Sequence, residues 1–296
     1  MSKGAWVKEP TLLENCFVLA SRETHAERTV VRVRDVSIGD SIPTIIADVG
    51  PVDDSQQFIQ TSRLARAEGV DVIGGFSLVL QDSTRSHRER SLSQLELLRE
   101  VALASGLPTM IEVSSPRDVE LALTCADLLE VGANNMQNFP LLVELGRHQC
   151  PVLLNRGPAA TINEWLLAAE YILVGGNEQV VLCECGIRAF ETEMQYMLDL
   201  AAVARVKELS HLPVVVDPSH ATGRRSLVAP MSKAAMAAGA DGLKIKLSTL
   251  SEGAREPGLV ALGLSEFSEL AHDLKPDWKA TVSTEVVERE RIEVHS

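Results

Sequence analysis

From Thr44 onward, short apolar runs alternate with longer segments whose apolar positions recur every three to four residues. The short runs read as strands and the longer segments as amphipathic helices. Strands are predicted over Thr44–Asp48, Val70–Gly74, Pro108–Val113, Leu128–Val131, Val152–Asn155, Val180–Cys183, Pro213–Asp217 and Gly242–Leu247. Helices fall between them at Gln56–Glu68, Ser91–Ser105, Ile162–Tyr171, Asp199–Leu209 and Leu227–Ala238, with shorter ones after the third and fourth strands. Alternating strand and helix gives a parallel sheet, and eight such units close into a (β/α)8 TIM barrel of the α/β class.

Upstream, Thr29–Val33 and Val36–Ile42 flank Arg34-Asp35 as a short β-hairpin placed to plug the amino-terminal mouth. The expected division is an N-terminal extension and hairpin over 1–43, the barrel over 44–274, and a charged C-terminal tail over 275–296. That tail, with its string TEVVERERIEVHS, is either disordered or a strand that pairs with a partner subunit, and disorder is preferred.

Composition narrows the function classes. The 45% hydrophobic and 23% charged fractions are those of a soluble globular chain, and no apolar run approaches the ~20 residues of a membrane span. The start, MSKGAWVKEP, lacks the apolar stretch of a secretory signal, so a cytoplasmic protein is expected. A formal charge of −13 opposes contact with phosphate backbones and excludes a nucleic-acid role. Five scattered cysteines fit a reducing compartment better than a disulfide framework.

In such barrels chemistry sits at the carboxyl ends of the strands. Those ends carry Asp48, Glu112, the string GANNMQN, Asn155-Arg156-Gly157, Cys183-Glu184-Cys185-Gly186, Asp217-Pro218-Ser219-His220, and Lys244 with Lys246. By strand alternation both lysines point inward. Lys246 could then be a Schiff-base nucleophile or a fixed positive charge pairing with Glu184, Glu112 or Asp217. Cys183 and Cys185 beside His220 could bind zinc or supply a thiolate, or simply pack. Asn134 and Asn155 suit neutral hydroxyls and carbonyls. Asp53-Asp54 could ligate a metal, although capping of the following helix is preferred.

The strings VGANNMQNFPLL, TINEWLLAAEYIL, ILVGGNEQVVLCECGIRAFE, LSHLPVVVDPSHATGRR and KAAMAAGADGL resemble type I DAHP (3-deoxy-arabino-heptulosonate 7-phosphate) synthases of the β subgroup. The likeness runs from about Leu19 to about Leu274. It implies condensation of phosphoenolpyruvate with erythrose 4-phosphate on a divalent metal with four ligands. Of the positions that match those ligands, one holds Val52 in place of Cys, one keeps His220, and one holds Lys246 in place of Glu. The loop that supplies the fourth has shrunk to ALGLSEF with no Asp. Four anion-binding cations are likewise replaced, at Leu80, Asn134, Asn155 and Cys185, whereas Arg156, Glu184, Arg188, Glu191, Asp217, Arg224 and Arg225 match the family.

The residues read together with the resemblance therefore assign catalysis to His220, Lys246, Asp217 and Glu184, and substrate binding to Asn134, Asn155, Arg156, Cys185, Lys244, Arg188 and Arg224, with no metal and no cofactor. The preferred expectation is a repurposed, metal-independent enzyme, a lyase or transferase of aldolase type. It would act on a carbonyl or cyclic acid less anionic than the family's substrates, in shikimate-related or secondary metabolism. The second expectation is a catalytically inactive scaffold or regulator of a protein partner, and DAHP synthesis itself, the first step towards aromatic amino acids, ranks last. A small-molecule substrate and a homo-oligomer are expected.

Overall fold

A computed structural model describes residues 17–49, 55–78, 85–248 and 260–275. Two short strands, β1 (Val31–Val33) and β2 (Val36–Ile38), form an antiparallel hairpin that turns through Arg34 in a left-handed conformation. Eight parallel strands follow: β3 (Thr44–Val49), β4 (Val72–Leu78), β5 (Thr109–Val113), β6 (Leu128–Val131), β7 (Val152–Asn155), β8 (Val180–Glu184), β9 (Val214–Val216) and β10 (Gly242–Leu247). They close in sequence order, with β10 against β3 from Gly242↔Thr44 to Leu247↔Val49. The expected barrel and hairpin are both present.

Helices α1 (Ser55–Ala67), α2 (Arg85–Ser105), α3 (Val119–Ala122), α4 (Phe139–Gly146), α5 (Ile162–Val174), α6 (Leu200–Leu209), α7 (Pro218–Thr222), α8 (Arg225–Ala237) and α9 (Leu264–Leu274) fill the connections. Their ends follow from local chemistry. At α5, Thr161 accepts the Glu164 backbone N–H while the Glu164 carboxylate accepts that of Thr161, a reciprocal cap. Asp199, expected as the first residue of a helix, is instead the cap of α6 and accepts from the Ala202 N–H at 3.0 Å.

One strand differs from its predicted extent for a backbone reason. The Gly74-Gly75 pair reads as a stop, yet β4 continues to Leu78 through a register shift between Ile73 and Phe76. Gly75 sits at φ +128°, where a Cβ would lie 1.9 Å from the Val49 carbonyl oxygen. Only glycine fits, and the strand bulges instead of ending.

The interior is layered by the two-residue period of the strands. Val31, Val33 and Ile38 of the hairpin close the amino-terminal end and pack on Ile46, Val72, Met110, Leu128, Leu153, Val181 and Val215. Two residues further along the same strands the inward positions become polar: Asp48, Glu112, Glu130, Asn155, Asp217 and Lys244. A separate apolar layer between strands and helices, with Phe58, Trp165 and Phe267 fully buried in it, holds the outer ring on.

Candidate active site

At the carboxyl ends of the strands a cavity of about 280 Å³ opens. Asp48, Glu112, Glu130, Asn134, Asn155, Cys185, Tyr196, Asp217, His220, Lys244 and Lys246 contribute to its wall. Six residues expected in the site on chemical grounds are therefore together here with Asp217: Asn134, Asn155, Cys185, His220, Lys244 and Lys246. Val52, Leu80, Asp53, Asp54 and the tail beyond Lys275 lie outside the described residues.

Lys244 holds the floor. Its ammonium bonds the Glu130 carboxylate and lies 3.8 Å from Asp48 and 3.9 Å from Asp217. Burial alone would pull its pKa down, but the Glu130, Asp48 and Asp217 carboxylates overcome that and hold it well above the usual lysine range. Asn155 donates to Glu130 at 2.6 Å, and its buried carbonyl oxygen has no hydrogen-bond partner among the described residues. Glu112 lies against Gly132, where a Cβ would come within 2.1 Å of its carboxylate oxygen. Burial, then the neighbouring Glu130, push the Glu112 carboxyl up towards its neutral form.

His220 stands on α7, positioned by its own strand end. The Asp217 carboxylate accepts the His220 backbone N–H at 2.8 Å, and the Tyr196 ring stacks on the imidazole with centroids 5.5 Å apart. Burial lowers the His220 pKa below 6.5; Asp217 opposes this, and Lys246 and Lys244 reinforce it. At neutral pH the imidazole is therefore uncharged and can accept a proton. Burial raises the Asp217 carboxyl, against the pull of Lys244.

Four sequence assignments are corrected by geometry. Glu184 alternates with Cys183 and Cys185, so it points outward, where it meets Arg156 at 2.8 Å in a pair exposed by 0% and 5%. Neither residue is in the cavity wall, and together with Asp199 they tie β7 and β8 to the cap of α6. Arg188 is exposed. Arg224 is exposed too and pairs with Glu193 at 2.8 Å, while Arg225 pairs with Glu266 on α9. The expected partner of the inward carboxylates is also exchanged, because Lys244, not Lys246, takes the ion pairs.

Sequence reasoning left Asp48 without a role, offered Glu112 only as a partner of Lys246, and passed over Glu130 and Tyr196. Alternation from Leu128 places Glu130 inward and could have found it. Tyr196 lies in the irregular segment before α6, where no period operates.

The C-x-C pair is buried, with sulfurs 3.5 Å apart. Burial, before any other influence, raises the Cys183 thiol; the Cys183 contact, then burial, hold Cys185 well above the usual thiol range. Protonated thiols are poor nucleophiles and poor ligands. Iodoacetamide in mildly alkaline buffer is expected to leave both unmodified in the native protein while half-buried Cys125 is labelled first among the described cysteines; peptide mass mapping that found Cys185 labelled before Cys125 would contradict this.

The resemblance implies a divalent ion at this position. Among the described residues no three His, Cys, Asp or Glu groups converge so as to hold a metal. Asp48, Glu130 and Asp217 converge on an ammonium instead, and Lys246 occupies the position at which the resemblance implies a carboxylate ligand. The described residues do not fit a divalent ion.

Residues 21–283 match the DAHP synthetase I family. The chain belongs to that family. A phospho-2-dehydro-3-deoxyheptonate aldolase of Thermotoga maritima is 40% identical over 259 residues, covering 88% of this chain and 77% of the relative. A 2-dehydro-3-deoxyphosphooctonate aldolase of Syntrophotalea carbinolica is 27% identical over 232 residues, 72% of this chain and 83% of the relative. Among solved structures, a truncated 3-deoxy-D-arabino-heptulosonate 7-phosphate synthase from T. maritima superposes with a TM-score of 0.80 at 40% identity, covering 90% of this chain and 97% of the other. A second T. maritima structure of that synthase gives 0.82 at 39% identity, covering 91% and 78%.

These likenesses overturn the expectation of a repurposed or inactive barrel. The finding that overturns it is the 40% identity with a phospho-2-dehydro-3-deoxyheptonate aldolase, sustained over 88% of this DAHP synthetase I family chain. Counting lost ligands treated each family position as irreplaceable, and a barrel mouth can redistribute charge among neighbouring strand ends. No helix among the described residues is long and apolar enough to cross a membrane.

Proposed function

We propose that this protein condenses phosphoenolpyruvate with erythrose 4-phosphate to give 3-deoxy-arabino-heptulosonate 7-phosphate and inorganic phosphate. The observation that carries the reading is the 40% identity with the T. maritima aldolase over 259 residues. The cavity agrees in kind, since it gathers an uncharged imidazole, two lysines and four carboxyl groups at the carboxyl ends of the strands.

The reaction joins C3 of phosphoenolpyruvate to the aldehyde carbon. The aldehyde oxygen becomes a hydroxyl and takes one proton; water adds to C2, the C2–O bond to phosphate breaks, and the second proton of water leaves with the phosphate. His220 accepts the proton of the attacking water, and Asp217 positions it through the backbone bond at 2.8 Å. The carbonyl of Asn155, whose amide N–H donates to Glu130, has no hydrogen-bond partner among the described residues and can accept from a substrate hydroxyl. Placement in aromatic amino acid biosynthesis, in the cytoplasm and as a homo-oligomer acting on small molecules belongs to this reading.

The test is loss of the enol absorbance of phosphoenolpyruvate that depends on erythrose 4-phosphate and is matched by phosphate release; no turnover with this pair would refute the reading. The rate is expected to fall on acidification with a midpoint below 6.5, as the imidazole becomes charged. His220→Gln should lower kcat by ~10²–10⁴-fold and abolish that acid limb. An unchanged limb in the variant would remove His220 from the proton path.

A further inference from the structure

We propose that Lys246 is the electrophilic group of the site: its ammonium binds the aldehyde oxygen and supplies the positive charge that polarises the carbonyl for attack. This rests on the condensation proposed above. Four observations carry it.

First, Lys246 and Lys244 share the inward face of β10, one step apart in the two-residue period. Second, their charges are not equivalent, for Lys244 is neutralised by Glu130, Asp48 and Asp217, whereas Lys246 has no carboxylate partner among the described residues. Third, Lys246 is only partly buried and lines the cavity, and its backbone N–H donates to the Ser219 hydroxyl at 3.1 Å, which fixes the strand against α7. Fourth, the residue beside Ser219 is His220, so Lys246 and the uncharged imidazole line the same cavity. Where the described carboxylates do not fit a divalent ion, the Lys246 ammonium, paired with none of them, is the positive charge they leave available.

The balance of the reaction decides how the lysine works. An imine between Lys246 and the aldehyde would place nitrogen on the carbon that must end as an alcohol, so the amine does not add. Instead an Nζ–H bond is donated to the carbonyl oxygen. As the new C–C bond forms, that oxygen becomes an alkoxide and takes the ammonium proton. The Lys246 amine recovers a proton from the water that adds to C2, by way of His220, and the other water proton leaves with phosphate. No oxidant, reductant or further reactant is needed.

The experiment uses the full chain after treatment with a chelator. Wild-type turnover is expected to be unaffected by chelator, and a manganese titration followed by electron paramagnetic resonance should show no stoichiometric binding. Lys246→Ala should lose ~10²–10³-fold in kcat with its melting temperature preserved, recover in part with added alkylammonium ions, and do so in order of their acidity. Lys246→Arg should stay between the two. Borohydride added with either substrate should leave the protein mass unchanged.

A separate readout does not depend on turnover: the infrared carbonyl stretch of bound erythrose 4-phosphate, isotope-labelled at that carbon, should shift to lower frequency in the wild type and not in Lys246→Ala. A rate restored only by manganese, a Lys246→Ala rate within about tenfold of wild type, or an unshifted carbonyl overturns the assignment. If the wild type turns over neither substrate, the condensation fails. The carbonyl shift then still decides whether Lys246 binds the aldehyde.

Discussion

Arg156→Ala is expected to cost the barrel about 3–5 kcal/mol, the range for breaking a buried ion pair from one side. The guanidinium is 5% exposed and lies 2.8 Å from a Glu184 carboxylate that is 0% exposed. It also meets Asp199 at 3.1 Å and the Ala160 carbonyl at 3.0 Å, and lies 5.8 Å from the centroid of the Trp165 ring. Removing it leaves Glu184 in the apolar layer with the Gly186 N–H as its remaining donor among the described residues, at 2.8 Å. Burial already raises the Glu184 carboxyl, and Arg156 is the largest influence pulling it back. Without Arg156 the folded-state value rises further above the unfolded one.

The sign of the pH dependence follows. A carboxyl whose folded pKa is raised takes up a proton on folding, so its neutral form supports stability below the unfolded value of 4.5 and that support is lost as pH rises through the folded value. The deficit of Arg156→Ala should therefore be smaller in mildly acidic than in mildly alkaline buffer, as read by denaturant midpoints at both. Pairing the change with Glu184→Gln should recover much of the loss. A deficit independent of pH and untouched by the second substitution would show that the pair does not carry the effect.

Lys244→Met is expected to inactivate the site while leaving a folded barrel of lower stability. The side chain is 8% exposed, and its ammonium is the charge among Glu130, Asp48 and Asp217. Methionine fills a similar volume but leaves those carboxyl groups, with Glu112, to repel one another in one cavity. They respond by holding protons. Turnover of the proposed reaction should fall by at least ~10²-fold, because anionic substrates meet uncompensated negative charge. Thermal stability should drop more in alkaline than in acidic buffer, where protonated carboxyl groups replace the missing cation. Wild-type activity in Lys244→Met would show that the ion cluster supports only the fold.

The contrast between the two lysines shows where sequence reading stops. The two-residue period along Gly242–Leu247 places both inward, and the pattern alone contains that. Which of them is neutralised is decided by Glu130, 114 residues away in the chain, and β6 and β10 meet only across the closed barrel. Glu184 errs in the other direction: its position beside two inward cysteines suggested the site, although the same period points it outward to Arg156. Gly74-Gly75 misled for a backbone reason, since a bulge and a strand end share one composition.

What the sequence by itself determined is the barrel, its plugging hairpin and part of the set of residues that line its mouth. Strand alternation and apolar periodicity are local properties, and eight repeats of one unit have one way to close. The tertiary structure alone decided the charge pairing: which lysine is spent on carboxylates, which lines the cavity with no carboxylate partner among the described residues, and that Arg156 and Glu184 pair outside the cavity wall. Electrostatic partners are chosen by distance and burial among strand ends far apart in the chain, and neither quantity is written in local pattern.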